Sequence, residues 1–126
     1  MDNKKKVMIV DDEQDFLFIT KMNLEETGKY EVLTLSNAKN IISEIHKFKP
    51  DILLLDMLMP SIGGPEVCEL LNQDPIGKNV PIIILSALDK DKDKLKAFKQ
   101  GVVDYATKPI DKDDMINKIE KALRYK

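Results

Sequence analysis

Short apolar segments recur along the chain at regular intervals. Residues 7–10, 52–55 and 80–85 contain no charged or hydrogen-bonding side chain, and residues 31–35 and 102–106 are largely apolar. A strand without polar alternation is one that is buried on both faces, as in a parallel sheet covered by helices. The pattern therefore predicts five strands, of which the fully aliphatic ones are covered on both sides.

Helical patterns fill the intervals between these strands. Gly28 is placed to stop the first helix, Ser36 to cap the second, Pro65 to begin the third and Asp111 to cap the last. The strict alternation of strand and helix predicts parallel strands joined by right-handed crossovers. The five helices are predicted at about residues 14–27, 37–49, 65–71, 89–98 and 112–123.

The helix predicted at residues 89–98 differs from the others in its polarity. Aspartate and lysine alternate along most of it, and only Leu95, Ala97 and Phe98 offer apolar surface. Pairs of opposite charge three residues apart support a solvated helix. We therefore expect this helix to be the one that is anchored most weakly.

Polar residues whose side chains could bind a ligand or take part in a reaction follow four of the five strands. Asp11 and Asp12 come after the first strand, Asp56 after the third, Ser86 after the fourth and Lys108 after the fifth. The carboxyl ends of parallel strands lie at one edge of the sheet, where ligands of open α/β sheets bind. These residues are therefore expected to form a single site.

Such a set of residues suits phosphoryl transfer. Three carboxylates that lie close together repel one another, and a hard divalent cation such as Mg2+ would compensate them. A lysine and a hydroxyl could hold a tetrahedral anion beside that cation. A carboxylate in line with the phosphorus is a nucleophile, and its product is an aspartyl phosphate.

Each of these residues also has a simpler interpretation when it is taken alone. Adjacent acids after a strand are commonly helix caps, a single aspartate or serine is commonly a turn residue, and a single lysine is commonly exposed to solvent. The functional interpretation rests on the four strand ends together, because they supply a coherent set of groups.

Composition narrows the possible classes of protein. The chain has 126 residues, enough for one domain, and its 20 basic and 22 acidic residues give a net charge of −2. This balance does not favour binding to nucleic acid or to an anionic membrane surface. The single cysteine excludes an internal disulfide, and no segment has the length of a signal peptide or a membrane helix. We therefore expect a cytoplasmic protein.

Four short motifs stand at the ends of the predicted strands. They are Val10-Asp11-Asp12-Glu13, Asp56-Met57-Leu58-Met59-Pro60 with Gly63-Gly64, Ser86-Ala87, and Lys108-Pro109. In combination they resemble the receiver domain of two-component response regulators, and the likeness covers essentially all 126 residues. The resemblance implies a flavodoxin-like, doubly wound (βα)5 fold with strand order 2-1-3-4-5.

The resemblance also implies a role for each residue near the phosphate. Asp56 would be the phosphoacceptor. It would receive a phosphoryl group from phosphohistidine on a sensor histidine kinase or a histidine phosphotransfer protein. Asp12, Asp56 and the backbone carbonyl of Leu58 would bind Mg2+ directly, and Asp11 would act largely through water. Lys108 would pair with the phosphoryl oxygens.

Two further residues would carry the signal in such a domain. Ser86 resembles the switch hydroxyl that turns onto the phosphate, and Tyr105 the aromatic residue that follows it. A cis peptide bond is implied before Pro109. The surface that changes would comprise residues 89–98, the fifth strand and the last helix. It would control a downstream target protein or output domain and could support a weak, phosphorylation-dependent dimer of an otherwise monomeric protein.

Residues 1–126 are interpreted as one receiver domain without an output domain. We expect this domain to be a signalling switch that catalyses its own phosphorylation and dephosphorylation, rather than an enzyme. Two alternative functions remain open. One alternative is a phosphatase with an aspartyl nucleophile on a similar fold. The other is a flavodoxin-type electron carrier, which the acids after the first strand disfavour, because they would repel a flavin phosphate.

Overall fold

The computed structural model describes residues 3–59, 62–86 and 101–124. Its centre is a parallel sheet of five strands in the order β2-β1-β3-β4-β5, which confirms the predicted flavodoxin-like topology. The strands are β1 Lys5–Val10, β2 Tyr30–Leu35, β3 Ile52–Asp56, β4 Ile82–Ser86 and β5 Val102–Thr107.

Helices cover both faces of this sheet. The described part of the chain contains α1 Gln14–Glu25, α2 Ile41–Phe48, α3 Gly64–Asn72, a 3-10 turn Gly77–Asn79, and α4 Lys112–Arg124. The charged helix predicted at residues 89–98 lies outside the described residues. Within the described ranges, no helix is both long enough and apolar enough to cross a membrane.

The core has two layers that meet at the sheet, and β3 contributes to both. Leu53 and Leu55 pack on one side with α2 and α3, whereas Ile52 and Leu54 pack on the other with α1 and α4. All four side chains are completely buried. This two-sided burial is the physical reason for the aliphatic run, because no position inside the strand faces water.

The start of α2 was predicted wrongly. Ser36 does not cap this helix, which begins at Ile41 after a turn. Within that turn, the side-chain oxygen of Asn37 accepts the backbone N–H of Lys39 at 3.0 Å. Short polar side chains offer the backbone local hydrogen bonds that compete with a helix, and such a bond holds these residues in a turn.

The ends of the outer helices agree more closely with the prediction. The carboxylate of Asp111 accepts the backbone N–H groups of Asp113 and Asp114 at 3.1 and 3.4 Å, as a cap of α4 should. Helix α1 ends at Glu25 rather than Thr27, because a further turn precedes Gly28. Gly28 has the expected left-handed backbone, with φ at 76°.

Candidate functional site

The carboxyl edge of the sheet brings the three predicted acids together. Val10 at the end of β1 is in register with Leu55 of β3, so Asp11 and Asp12 follow one strand where Asp56 closes its neighbour. One oxygen from each of the three carboxylates lies within 4.8 Å of the other two. Asp11 and Asp56 are buried, and Asp12 is exposed to solvent.

The two buried carboxylates are only partly satisfied by hydrogen bonds. Oδ1 of Asp11 accepts the backbone N–H of Glu13 at 2.9 Å, and Oδ1 of Asp56 accepts that of Leu58 at 3.3 Å. Oδ2 of Asp11 is buried and accepts no hydrogen bond, and the Lys108 ammonium beside it forms only an ion pair with it. A buried carboxylate oxygen without a donor is costly, and a cation is the usual remedy.

The pKa of Asp56 is raised by its position in this cluster. Burial, followed by repulsion from Asp11, raises its pKa from 3.8 to about 7. The positive charge of Lys108 and the hydrogen bond from Leu58 oppose that rise without cancelling it. A divalent cation beside Asp56 would favour the ionised carboxylate and reverse the shift.

Lys108 brings a positive charge to the acid cluster, where it contacts two carboxylates. Its ammonium nitrogen lies 2.6 Å from Asp11 Oδ2 as an ion pair without hydrogen-bond geometry, and it donates a 2.6 Å hydrogen bond to Glu13 Oε1. It also lies 4.8 Å from the centre of the Phe16 ring. Burial lowers the pKa of Lys108, but the contacts with Asp11 and Glu13 and the charge of Asp56 raise it by more, so the lysine stays charged.

The predicted switch residues lie on β4, which pairs with the strand that carries Asp56, and on β5, the edge strand beyond β4. Ser86 is the buried last residue of β4, one position beyond Leu85, which pairs with Asp56. Tyr105 lies on β5 opposite Ile84 and is half-buried against the core layer below α2 and α3. The Lys108–Pro109 peptide bond is cis, as the resemblance implies.

The donor set fits a hard divalent cation. Three carboxylates converge, one buried oxygen accepts no hydrogen bond, and burial together with the charge of Asp11 raises the pKa of Asp56. Oxygen ligands of this kind are those that Mg2+ prefers, and one or two carboxylates leave room for water and phosphate oxygens. Leu58, whose carbonyl is a predicted ligand, adjoins the cluster through its hydrogen bond to Asp56.

The start of α3 supports the loop that carries Leu58. Gly64 donates a 3.0 Å hydrogen bond to the carbonyl of Met57. A Cβ atom on Gly64 would lie 3.1 Å from Met57 Cα and 3.3 Å from the carbonyl oxygen of Asp56. The sequence indicated a turn here, but it gave no sign that α3 approaches the backbone of the site so closely.

Gly64→Ala is therefore expected to disturb the metal site as well as the fold. The added methyl group must push against backbone atoms of Asp56 and Met57, at a cost of about 1–3 kcal/mol in the free energy of unfolding. Gly28→Ala is the matched control, because it strains a left-handed backbone position with no atom within 4 Å of the new Cβ. Both variants should be less stable to urea, but only Gly64→Ala should weaken Mg2+ binding in calorimetry. Equal Mg2+ affinities in the two variants would refute this role.

Comparison with known proteins gives the same family for nearly the whole chain. The family described as the response regulator receiver domain matches residues 7–120. The chain is 34% identical over 120 residues to the alkaline phosphatase synthesis transcriptional regulatory protein PhoP of Bacillus subtilis (strain 168). That match covers 95% of this chain and 49% of PhoP, so the chain spans about half the length of this relative.

Solved structures resemble the chain over nearly its whole length. The receiver domain of Francisella response regulator 1452 has a TM-score of 0.83 and 30% identity, covering 97% of this chain and 98% of that one. A two-component response regulator from Clostridium difficile has a TM-score of 0.84 and 25% identity, covering 96% of this chain and 97% of that one.

These matches decide between the functions that the sequence left open. The phosphatase and flavodoxin alternatives share the general architecture, but the family match extends through the acids, the switch strands and Lys108. Phosphorelay signalling, in which a domain acts as a switch, is the function that the match supports. The chain belongs to the response regulator receiver domain family.

Proposed function

We propose that this domain receives a phosphoryl group on Asp56 from the phosphohistidine of a sensor kinase or phosphotransfer protein. One observation carries the proposal: the buried carboxylate of Asp56 meets two further acids at the edge of the sheet, and a lysine forms an ion pair with one of those acids. This arrangement can hold a cation on one side of a phosphoryl group and an ammonium on the other. A cytoplasmic location agrees with such donors.

In this proposal Asp56 is the nucleophile. Its carboxylate oxygen forms a bond to phosphorus while the P–N bond of phosphohistidine breaks, and the imidazole nitrogen retains the bonding pair and takes up a proton. The backbone N–H of Leu58 keeps the Asp56 carboxylate oriented through Oδ1. Lys108 offers positive charge to the phosphoryl oxygens as they approach.

Asp12, Asp56 and the Leu58 carbonyl are the proposed ligands of Mg2+, with Asp11 acting through water. When it is bound, the ion supplies charge neutralisation for the acids and for the phosphoryl oxygens. Asp56 must be ionised to attack phosphorus, and its raised pKa makes it a poorer nucleophile at neutral pH when the cation is absent. The acid cluster thereby couples phosphorylation to cation binding.

The surface beside the site suits a protein as the phosphodonor. Phe18, Ile19 and Met22 of α1 expose 70%, 51% and 47% of their area. The same helix begins at the site, where Phe16 contacts the Lys108 ammonium. An exposed apolar patch next to a reactive group is typical of a docking surface.

On the far side of the site, we propose that Ser86 and Tyr105 report phosphorylation to the surface that binds a target.

Incubation with Mg2+ and acetyl phosphate tests this proposal without a partner protein. Intact mass analysis should find one added phosphoryl group on the wild-type protein and none on Asp56→Asn. Chelation of Mg2+ should abolish the addition. Addition of the same group to Asp56→Asn would overturn the assignment of the site.

We expect the phosphorylated state to be long-lived once it has formed. Leu58 is 63% exposed next to Asp56. Its apolar side chain can neither orient an attacking water molecule nor accept a proton from it. Decay of the phosphoprotein in Mg2+ should take many minutes, and Leu58→Gln should shorten it. A wild-type lifetime of seconds would contradict this expectation.

A further inference from the structure

Lys108 is shared between two carboxylates that differ in what they lose when the lysine leaves. Asp11 is completely buried, and its Oδ2 has no hydrogen-bond donor, so separation from Lys108 would strand a buried charge. The side chain of Glu13 is 63% exposed, and water can replace the lysine there at little cost. Glu13 is therefore the partner that Lys108 can exchange.

The position of Glu13 makes it a competitor for an incoming anion. Its Oε1 lies 2.6 Å from the ammonium nitrogen, the separation of a short charge-assisted hydrogen bond. Phe16 contributes its ring at 4.8 Å from the same nitrogen. A phosphoryl group on Asp56 brings further negative charge to this one ammonium. Glu13 already accepts one of the hydrogen bonds that the ammonium could donate to the phosphoryl oxygens.

We propose that Glu13 is a positioning residue that holds Lys108 back and so lowers the affinity of the site for a phosphoryl group. The inference rests on the proposed role of Asp56. Release of Glu13 into solvent frees the lysine to turn toward the phosphoryl oxygens, while Asp11 keeps the ammonium near the site. The contact between Glu13 and Lys108 is a resting-state restraint that phosphorylation displaces.

Beryllofluoride, a tetrahedral mimic of the phosphoryl group, provides a binding test in which no covalent chemistry is needed. We would titrate it calorimetrically at saturating Mg2+ into the wild type, Glu13→Gln and Asp15→Asn. Glutamine keeps the length of the side chain and the backbone hydrogen bonds of Glu13 but removes its charge. Asp15→Asn also removes one negative charge, from the first turn of the helix that follows Glu13. No lysine in the described residues forms an ion pair with Asp15, so this variant controls for general charge.

Glu13→Gln is expected to bind beryllofluoride about two- to fivefold more tightly, the range expected when an exposed competing ion pair is removed. Asp15→Asn should match the wild type. Mg2+ affinity, measured separately, should be the same in all three proteins. A merely structural role of Glu13 would alter stability or metal binding instead of the affinity for the anion alone.

The possible results separate this inference from the function on which it rests. Equal tightening in both variants would overturn the inference, because general charge would then explain the effect. Weaker binding by Glu13→Gln would also overturn it, since Glu13 would then assist Lys108. If the wild type binds beryllofluoride and Glu13→Gln binds no better, the proposed function stands and the inference fails. If neither protein binds it, both fail.

Discussion

Lys108→Met is expected to lower the free energy of unfolding by about 3 kcal/mol at pH 8 without divalent cations, as when one partner of a buried ion pair is removed. Asp11 is completely buried, and the lysine side chain is only 11% exposed. Methionine retains most of the length and apolar packing of lysine, so the loss is chiefly electrostatic. Urea denaturation of the two proteins under the same conditions measures it.

A double-mutant cycle with Asp11→Asn isolates the interaction between the two side chains. If the ion pair is the cause, the double variant should be less destabilised than the sum of the single variants, by about 1–3 kcal/mol. Saturating Mg2+ should also recover part of the stability of Lys108→Met, because a cation can replace the missing charge. Strict additivity of the two substitutions would show that the pair does not stabilise the fold.

Asp56→Asn is expected to have the opposite effect and to stabilise the metal-free protein at pH 8 by about 1–3 kcal/mol. The amide removes a buried charge that Asp11 repels, and its oxygen can still accept the N–H of Leu58. Saturating Mg2+ should reduce or reverse this gain, because it stabilises the wild type by binding to the folded state.

The pH dependence of that gain follows from the raised pKa of Asp56. Between pH 3.8 and about 7 the folded protein binds a proton that the unfolded chain has released. Wild-type stability therefore falls across this range through Asp56, and the full penalty is present above it. The difference between Asp56→Asn and the wild type should be small near pH 4 and largest at pH 8.

Asp74→Asn is the matched control for this pH experiment. The Asp74 carboxylate accepts the N–H groups of Gly77 and Ile76 at 2.8 and 3.0 Å and contacts His46 at 2.9 Å. The hydrogen bond from Gly77, above all, lowers the pKa of Asp74. Its contribution to stability is present above the unfolded pKa and is lost in acid, so this variant should be destabilised at neutral pH. Stabilisation of both variants at pH 8 would refute the electrostatic explanation for Asp56.

The sheet and the strand-end acids could be predicted because their signals are local. A strand buried on both faces requires an unbroken aliphatic run, and the chain direction of parallel strands alone determines where Asp11, Asp12 and Asp56 meet. The start of α2 could not be predicted in this way. Serine is a common residue at helix N-caps, so the sequence favours a helix that begins directly after Ser36. Only the observed turn at Asn37 distinguishes that conformation from the later start of α2.

Contacts between distant parts of the chain could not be predicted from the sequence, for a different reason. Glu13 and Lys108 are 95 residues apart, and neither flanking sequence indicates that their side chains meet. The approach of Gly64 to the backbone of Asp56 is likewise a matter of how α3 packs. A glycine between a loop and a helix is a usable signal for such an approach, but it does not identify the atoms concerned.

Borohydride reduction tests most directly whether the phosphoryl group resides on Asp56. Borohydride reduces an aspartyl phosphate to homoserine and leaves ordinary carboxylates unchanged. After treatment with acetyl phosphate and Mg2+, peptide mass spectrometry should find homoserine at position 56 and aspartate at positions 11 and 12. Homoserine at either of those positions, with aspartate intact at position 56, would contradict the account.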